Sequence, residues 1–168
     1  MSDMLICVDA LDRQIGAADK QRCHREGLLH RAFSIFLVDG SRLLLQRRAL
    51  HKYHSGGLWA NSCCSHPRDG ESLQDAVQRR LFEELGVHCP CSEVGSFVYR
   101  HCFSPELYEY EYDHVFVGSF QGTVFPNPEE IMETRWFERE ELLRLMNEQP
   151  DQFASWFITA LPMVLKCM

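Results

Sequence analysis

The sequence lacks an apolar run long enough to cross a membrane, and it lacks an excess of basic residues. The apolar stretch 156–168 is too short to span a bilayer, and the amino terminus does not show the basic, apolar and small-residue order of a secretion signal. A formal net charge of −7 argues against nucleic acid and anionic membranes as partners. We therefore expect a cytoplasmic protein with a small-molecule partner, no nucleic acid and no membrane. The charge remains compatible with a small anionic substrate in a local basic pocket.

The eight cysteines include no C-x-x-C pair, and the spacing in 89–91 (C-P-C) is too tight for a typical zinc site. Without a secretion signal, we expect these thiols to be reduced. Internal repeats, low-complexity tracts and linker compositions are also lacking. The chain of 168 residues is therefore expected to form one domain, 1–168, with a substantial core.

Hydrophobic patterning predicts strands and helices in mixed order. Asp39-Gly40 lies between two β-rich runs and predicts a hairpin there. Ser72 and Gly86 have the residue types that begin and end a helix. The predicted strands are 5–8, a short one after the turn 9–16, then 30–38, 42–47, 59–62, 93–101, 108–120 and 134–138; the predicted helices are 20–26, the segment between 72 and 86, 140–148, and 151–166 with an interruption near 162. This order predicts an α/β layered domain.

The stretch 59–87 carries the strongest functional signals. Cys64, a possible nucleophile or proton donor, lies two residues from His66, a possible metal ligand. Arg80 and Glu84 are four residues apart and therefore share one helical face. Such a cation can bind a phosphate, and such a carboxylate can bind a divalent metal on that phosphate. On charge alone, the alternative of a solvated surface helix would be favoured.

The spacing in this stretch resembles the Nudix box. Glu71 is followed by seven residues and Arg79, with Glu83-Glu84-Leu85-Gly86-Val87 behind (83–87). Ser65 stands where the hydrolytic pattern begins with Gly, and Arg80 stands where hydrolytic members have a metal-binding Glu. Because arginine neither ligates a metal nor acts as a base, we expect a Nudix fold that holds a diphosphate without cleaving it.

Three carboxylates alternate along one predicted strand. Glu109, Glu111 and Asp113 point to one face of that strand, where they repel one another unless a positive group lies among them. A solvated outer face is one explanation and a bound metal is the other. The aromatic and apolar residues between them indicate a buried strand, which favours the metal.

Several sequence blocks together resemble the type I isopentenyl-diphosphate isomerases, Nudix-fold enzymes of isoprenoid synthesis. The blocks are H-R-A-F-S (30–34), L-L-L-Q-R-R-A (43–49), W-A-N-S-C-C-S-H-P (59–67), the Arg80/Glu84 helix, Y-R (99–100), E-Y-E (109–111) and S-W (155–156). The resemblance implies a Nudix-like α/β/α layered domain with a mixed sheet. It also implies a metal-dependent, monomeric isomerase that interconverts isopentenyl and dimethylallyl diphosphate through a tertiary carbocation.

The resemblance assigns the chemistry to four side chains. Cys64 and Glu111 are implied as the acid and base on opposite faces of the substrate, with Tyr99 assisting Glu111. Which of the two donates the first proton stays open. Trp156 is implied as an indole over the reacting carbons. Cys63 is expected to pack inward, since neighbouring strand residues face opposite ways.

The resemblance also implies two metal sites and an anion site. One divalent ion, manganese, magnesium or zinc, would be held by His24, His30, His66, Glu109 and Glu111. The diphosphate would be bound by Lys20, Arg48, Lys52 and Arg80, and its magnesium by Glu84. His51, His54, His88, His101 and His114 receive no role. The competing readings are a Nudix hydrolase of a small diphosphate and a non-catalytic metal- or phosphate-binding module.

Overall fold

Nine strands and four α-helices make up residues 3–168, the part of the chain that this computed structural model describes. The strands are β1 (Met4–Val8), β2 (Gln14–Asp19), β3 (His30–Asp39), β4 (Arg42–Arg48), β5 (Trp59–Ala60), β6 (Cys63–Ser65), β7 (Ser92–Ser104), β8 (Leu107–Ser119) and β9 (Ile131–Glu138). The helices are α1 (Lys20–Glu26), α2 (Leu73–Leu85), α3 (Arg139–Glu148) and α4 (Ser155–Leu165).

Strand β3 is the centre of a mixed sheet. It runs parallel to β8 from His30↔Glu111 to Val38↔Ser119, and it pairs antiparallel with β1, β4 and β6. Strand β9 extends the sheet beyond β4, and β7 extends it beyond β8. The predicted hairpin at Asp39-Gly40 joins β3 to β4, and the predicted strand 108–120 is β8.

Helices cover both faces of this sheet. The side chains of β3 alternate between the two faces, as strand geometry requires. Phe33, Ile35 and Leu37 pack in one buried cluster with α2, whereas Phe36 packs in a second buried cluster with α4. The two clusters confirm the predicted α/β/α layering.

Helix α2 begins and ends where its sequence predicts. The Ser72 hydroxyl accepts a hydrogen bond from Asp75 N at 3.1 Å, which caps the first turn. Gly86 follows the last turn with φ of 67°, a left-handed conformation that glycine adopts without a steric penalty. These two caps fix the length of the helix and therefore the positions of Arg80 and Glu84.

Only the first half of the predicted strand 59–62 is a strand: β5 ends at Ala60, and a separate strand, β6, begins at Cys63. Ser62 lies between them, and its hydroxyl accepts from Leu37 N at 2.8 Å and donates to Leu44 O at 2.6 Å. The Ser62 side chain therefore bonds both β3 and β4 where they pair. The chain leaves β5, which pairs with β4, and enters β6, which pairs with β3.

The predicted carboxyl-terminal helix is corrected in two respects. Residues 150–152 form a separate 3-10 turn, and α4 starts only at Ser155. The predicted interruption at Pro162 is wrong, because α4 continues through it to Leu165. Proline removes one backbone donor, but the buried Leu161 and Val164 keep this last turn packed on the core. None of the helices within residues 3–168 is both long enough and apolar enough to traverse a bilayer.

Candidate active site

A polar cavity of about 260 Å³ lies between α1, β8, α2 and α4. It gathers residues that are far apart in the sequence. Most of the predicted site residues line it: Lys20, Arg48, Lys52, Cys64, His66, Arg80, Glu84, Glu109, Glu111 and Trp156. The remaining predicted residues, His24, His30 and Tyr99, lie directly beside these.

Three histidines and one carboxylate form a compact cluster, which we call the histidine–carboxylate cluster. His24 comes from α1, His30 from the start of β3, His66 from the loop after β6, and Glu109 from β8. One ligand atom of each of the four residues lies within 4.8 Å of those of the other three. Glu111 lies beside this group, with its Oε2 3.8 Å from His66 Nε2.

The cluster contains buried polar atoms without partners. His30 Nδ1 lies 2.8 Å from Leu28 O, so it donates to this carbonyl and leaves Nε2 as the free lone pair. His24 Nε2 is 3.2 Å from Glu109 Oε1, but it does not have hydrogen-bond alignment. Within residues 3–168, His24 Nε2, His30 Nε2 and Glu109 Oε2 have no hydrogen-bond partner. Because buried polar groups are normally satisfied, this donor set fits a divalent cation.

Burial favours the neutral form of two histidines of this cluster, His66 and His30, and metal ligation requires a neutral imidazole. Burial lowers the pKa of His66 well below its ordinary value, and the neighbouring His30 adds to that effect. Burial lowers the pKa of His30 as well. For Glu111, burial and the adjacent negative charge of Glu109 raise the pKa well above the ordinary value. At Glu109, burial alone would raise the pKa, but its close contacts with Glu111, His24 and His54 lower it well below the ordinary value.

The sequence analysis missed His54. It is buried in the cavity wall, and its Nε2 lies 2.8 Å from Glu109 Oε1. Its ring stacks on Phe103 at a centroid distance of 4.1 Å and meets Trp156 edge-on at 5.5 Å. Tyr53, its neighbour, donates its hydroxyl to the same Glu109 oxygen at 3.1 Å. The two residues lie in a loop with no periodicity, so only their position beside the Arg48–Lys52 segment was a signal.

Cys64 faces the cavity and Cys63 faces away from it, as predicted. β6 pairs with β3 at Cys64↔Ser34, which sends the completely buried Cys63 into the cluster under α2. Burial raises the pKa of Cys64 to about 11, although the charge of Arg48 opposes the shift. Cys64 is therefore a thiol near neutral pH, and Arg48 Nη1 lies 3.9 Å from its sulfur.

Tyr99 and Trp156 flank the site from β7 and α4. Tyr99 stands opposite Glu111 in the β7–β8 register, but its hydroxyl bonds Ser155 Oγ at 2.6 Å. Burial raises the pKa of Tyr99 to about 12. The Trp156 indole donates from Nε1 to Asn61 Oδ1 at 3.1 Å and forms part of the cavity wall. Trp156 thus both packs in the core and lines the cavity.

Basic side chains form a second group in the cavity, which we call the basic cluster and define as Lys20, Arg48, Lys52 and Arg80. Lys52 Nζ lies 2.5 Å from Glu130 Oε2. Arg80 contacts Glu84 and lies 3.5 Å from Glu130 Oε1. Lys20 lies over the ring of Tyr53, which itself stacks on His24. These contacts place the predicted anion-binding residues together, and they add Glu130, which the sequence analysis did not single out.

Arg79 has a different role from Arg80, its neighbour. Arg79 forms two hydrogen bonds with Glu71, at 2.7 and 2.9 Å, and a third with the His66 carbonyl oxygen at 3.4 Å. It therefore fixes the loop that carries His66 to α2. Its charge is balanced by Glu71, whereas Arg80 points towards Glu84 and the cavity.

Asp113, the third carboxylate of the β8 stripe, also lies in the cavity wall. The Ser34 hydroxyl donates to its Oδ2 at 2.8 Å, and its Oδ1 has no partner in the described part of the chain. Burial raises the pKa of Asp113 to about 7. The solvated outer face considered for this stripe is excluded, because Glu109 and Asp113 are only 1% and 3% exposed.

Comparison with known proteins agrees with this geometry. The model of the NUDIX domain family matches residues 28–157. An isopentenyl-diphosphate Delta-isomerase of Burkholderia multivorans is 53% identical over 94% of this chain and 90% of its own length. One from Streptomyces coelicolor is 45% identical over 94% of this chain and 81% of its own length.

Solved structures show the same fold at much lower identity. DR0079 from Deinococcus radiodurans has a TM-score of 0.71 and 21% identity, over 88% of this chain and 90% of that one. A MutT NUDIX hydrolase from Burkholderia pseudomallei has a TM-score of 0.66 and 18% identity, over 81% and 98% of the two chains. These structures support the fold alone, whereas the sequence relatives define the group. The chain belongs to the NUDIX family and, within it, to the isopentenyl-diphosphate Delta-isomerases.

Proposed function

We propose that this chain interconverts isopentenyl diphosphate and dimethylallyl diphosphate. The observation that carries the proposal is the meeting of three features in one cavity: the histidine–carboxylate cluster, the thiol of Cys64 and the basic cluster. The curated relatives named isopentenyl-diphosphate Delta-isomerase cover nearly the whole chain. The product is an isomer, so the reaction needs proton transfer and no net group transfer.

The chemistry begins with a proton added to the terminal carbon of the 3,4 double bond, which leaves a tertiary cation. Loss of a proton from C2 then forms the 2,3 double bond. Cys64 is suited to one of these transfers because it is a protonated thiol in a buried setting. Arg48, beside its sulfur, would stabilise the thiolate that remains after Cys64 donates a proton.

Glu111 is suited to the opposing transfer. Its carboxyl group lines the same cavity as Cys64 and would accept a proton when Cys64 donates one, or donate one when Cys64 accepts. Tyr99 lies opposite Glu111 on the facing strand. Trp156 contributes an aromatic wall, whose π face stabilises a nearby cation by about 0.5–2 kcal/mol. Its burial also helps to keep water from the reactive cation.

His24, His30, His66, Glu109 and Glu111 would hold one divalent ion, manganese, magnesium or zinc. Their unpartnered buried atoms support this assignment. When bound, the ion supplies Lewis-acid stabilisation of negative charge on the carboxylates that surround the substrate. The residues themselves position Glu111 and limit the access of water.

The basic cluster would bind the diphosphate, and Glu84 would bind the magnesium that it carries. Arg80 is held against Glu84 by their four-residue spacing on α2. An arginine at position 80 cannot ligate a metal that activates water. This substitution favours retention of the diphosphate over its hydrolysis.

We further propose that residues 1–168 act as one cytoplasmic, monomeric domain with an isoprenoid diphosphate as its partner. The family model begins at residue 28, yet Lys20 and His24 precede it and lie in the same site. The amino-terminal segment is therefore needed for the site to be complete.

The decisive experiment is product analysis of isopentenyl diphosphate incubated with the protein in deuterated water, with magnesium and manganese present. Deuterated dimethylallyl diphosphate without phosphate release is the expected result. Released phosphate would support the hydrolase reading instead. Recovery of unchanged substrate would favour a non-catalytic binding module and would overturn the proposal.

A further inference from the structure

Glu130 is a carboxylate placed among cations that the proposed function assigns to diphosphate binding. Its Oε2 lies 2.5 Å from Lys52 Nζ, and its Oε1 lies 3.5 Å from Arg80 Nη2. The same Arg80 nitrogen contacts Glu84. Two carboxylates therefore meet at one guanidinium, and one of them also neutralises the neighbouring lysine.

Backbone hydrogen bonds hold Glu130 in this place. Its carbonyl oxygen accepts from Ala49 N at 3.0 Å, just after β4, and its own amide donates to Asn127 O at 3.0 Å. Asn127 N in turn donates to Glu84 O at 2.8 Å. The loop before β9 is thus tied both to α2 and to the segment that carries Lys52. These hydrogen bonds fix the backbone of Glu130 in the cavity wall.

Glu130 is ionised in this setting. Burial alone would raise the pKa of its carboxyl group, but the hydrogen bond and charge of Lys52, together with the charge of Arg80, lower it below the ordinary value. Its side chain is 25% exposed. A diphosphate that approaches Lys52 and Arg80 therefore meets the negative charge of Glu130, which is already paired with both cations.

We propose that Glu130 makes diphosphate binding depend on a divalent cation. This inference rests on the proposed function of the site and adds a specificity-determining residue to it. A metal-free diphosphate has to compete with Glu130 for Lys52 and Arg80 and is repelled by it. A diphosphate that carries magnesium brings a cation that Glu130 and Glu84 can both face, which turns the repulsion into attraction.

Glu129 provides a natural comparison. It is the preceding residue and has the same charge, but its side chain is 85% exposed, with Oε2 3.9 Å from His51 Nε2. Exposed charges of this kind contribute little, because water and salt screen them. Glu129→Gln and Glu130→Gln remove the same net charge from adjacent positions, so any difference between them reports on the cavity.

The test is isothermal titration of the protein with inorganic diphosphate, once in buffer without added divalent cations and once with excess magnesium. The full chain is used with the metal that it carries after purification. The measured quantity is the ratio of the two affinities. For the unchanged protein, we expect magnesium to increase the affinity for diphosphate strongly. For Glu130→Gln we expect tighter magnesium-free binding and a ratio reduced about tenfold or more.

Two variants separate charge from packing. Glu129→Gln should keep the ratio of the unchanged protein, and Glu130→Asp should keep most of it because the charge remains. An unchanged ratio in Glu130→Gln would overturn the inference while leaving the proposed function intact. Equal effects of Glu129→Gln and Glu130→Gln would overturn it as well. If the unchanged protein binds diphosphate in neither of the two buffers, both the inference and the proposed anion site are overturned.

Discussion

The histidine–carboxylate cluster and the basic cluster line the same cavity but are built differently. The first uses short side chains anchored largely on α1, β3 and β8, and it contains three buried atoms without partners in residues 3–168. The second uses long side chains from α1, α2, β4 and the loop after β4. Lys52 and Arg80 of the second cluster are each paired with a carboxylate already present.

This difference matches the two proposed roles, metal binding by the histidine–carboxylate cluster and diphosphate binding by the basic cluster. In the histidine–carboxylate cluster, one ligand atom of each of the four residues already lies within 4.8 Å of the others, an arrangement that fits a cation without rearrangement. In the basic cluster, Lys52 and Arg80 are already paired with carboxylates, so under the proposed function they exchange these partners when the diphosphate binds. Changes in the first cluster should therefore affect metal content and chemistry, and changes in the second should affect substrate affinity.

Removal of the metal tests the first cluster with the largest expected effect. Treatment with a chelator should abolish isomerisation and lower the melting temperature, because a bound ion at about one hundred times its Kd stabilises the folded state by about 2.7 kcal/mol. Activity assays and thermal melts before and after dialysis measure this, with re-added manganese or magnesium as the control. An unchanged melting temperature would show that the cluster holds no ion.

Cys64→Ala should reduce isomerisation by about 10³-fold, within the range for loss of a positioned acid or base. Diphosphate binding should be nearly unchanged, because the substitution removes no charge from the basic cluster. Initial rates and calorimetric affinities measure the two effects separately. Cys63→Ala is the matched control, since Cys63 packs under α2 and its loss should alter stability more than chemistry. Equal losses of rate and affinity in Cys64→Ala would mean that Cys64 also contributes to diphosphate binding, contrary to the proposal.

Arg80→Glu tests the basic cluster. Reversing this charge beside Glu84 and Glu130 should weaken diphosphate binding by about 10²-fold, with little effect on the metal bound by the histidines. Calorimetry with inorganic diphosphate and metal analysis of the purified variant measure both quantities. Arg22→Glu on α1 is the control, because Arg22 is an exposed arginine that pairs only with the exposed Glu26 at 3.1 Å among the salt bridges of Arg22 in residues 3–168. Unchanged affinity in Arg80→Glu would remove the main argument for a site that holds a diphosphate.

His54→Phe should have the smallest effect of the four. Phenylalanine preserves the stacking on Phe103 but removes the donor to Glu109. Loss of a hydrogen bond that orients a metal ligand typically costs about tenfold or more in metal affinity. Manganese titration of the metal-depleted protein measures the change, and diphosphate affinity should stay constant. Unchanged manganese affinity would leave His54 with a packing role only.

Local sequence patterns predicted most of the elements. The caps at Ser72 and Gly86 and the Asp39-Gly40 turn act within a few residues, so their outcome does not depend on the rest of the chain. The errors occurred where distant residues intervene. The predicted strand 59–62 ends at Ala60, and the Ser62 hydroxyl bonds Leu37 and Leu44 of the neighbouring strands. The helix that contains Pro162 continues because its neighbours pack on the core.

The site divides in the same way. The resemblance to the isomerases implied roles for Cys64, three histidines and the four cations of the basic cluster, and the structure brings these residues together at one cavity. The family comparisons support that reading of the chain as a whole. The individual roles remain the proposals tested above.

By itself, the sequence determined the fold class, the family and the chemical classes of group available to the site. Only the tertiary structure decided which of these groups meet: His54 and Tyr53 at one oxygen of Glu109, and Glu130 between Lys52 and Arg80. The physical reason is that hydrogen bonds and charge pairing act over a few ångströms in space. Residues separated by 55 or 78 positions along the chain become partners only after the sheet and helices have brought them together.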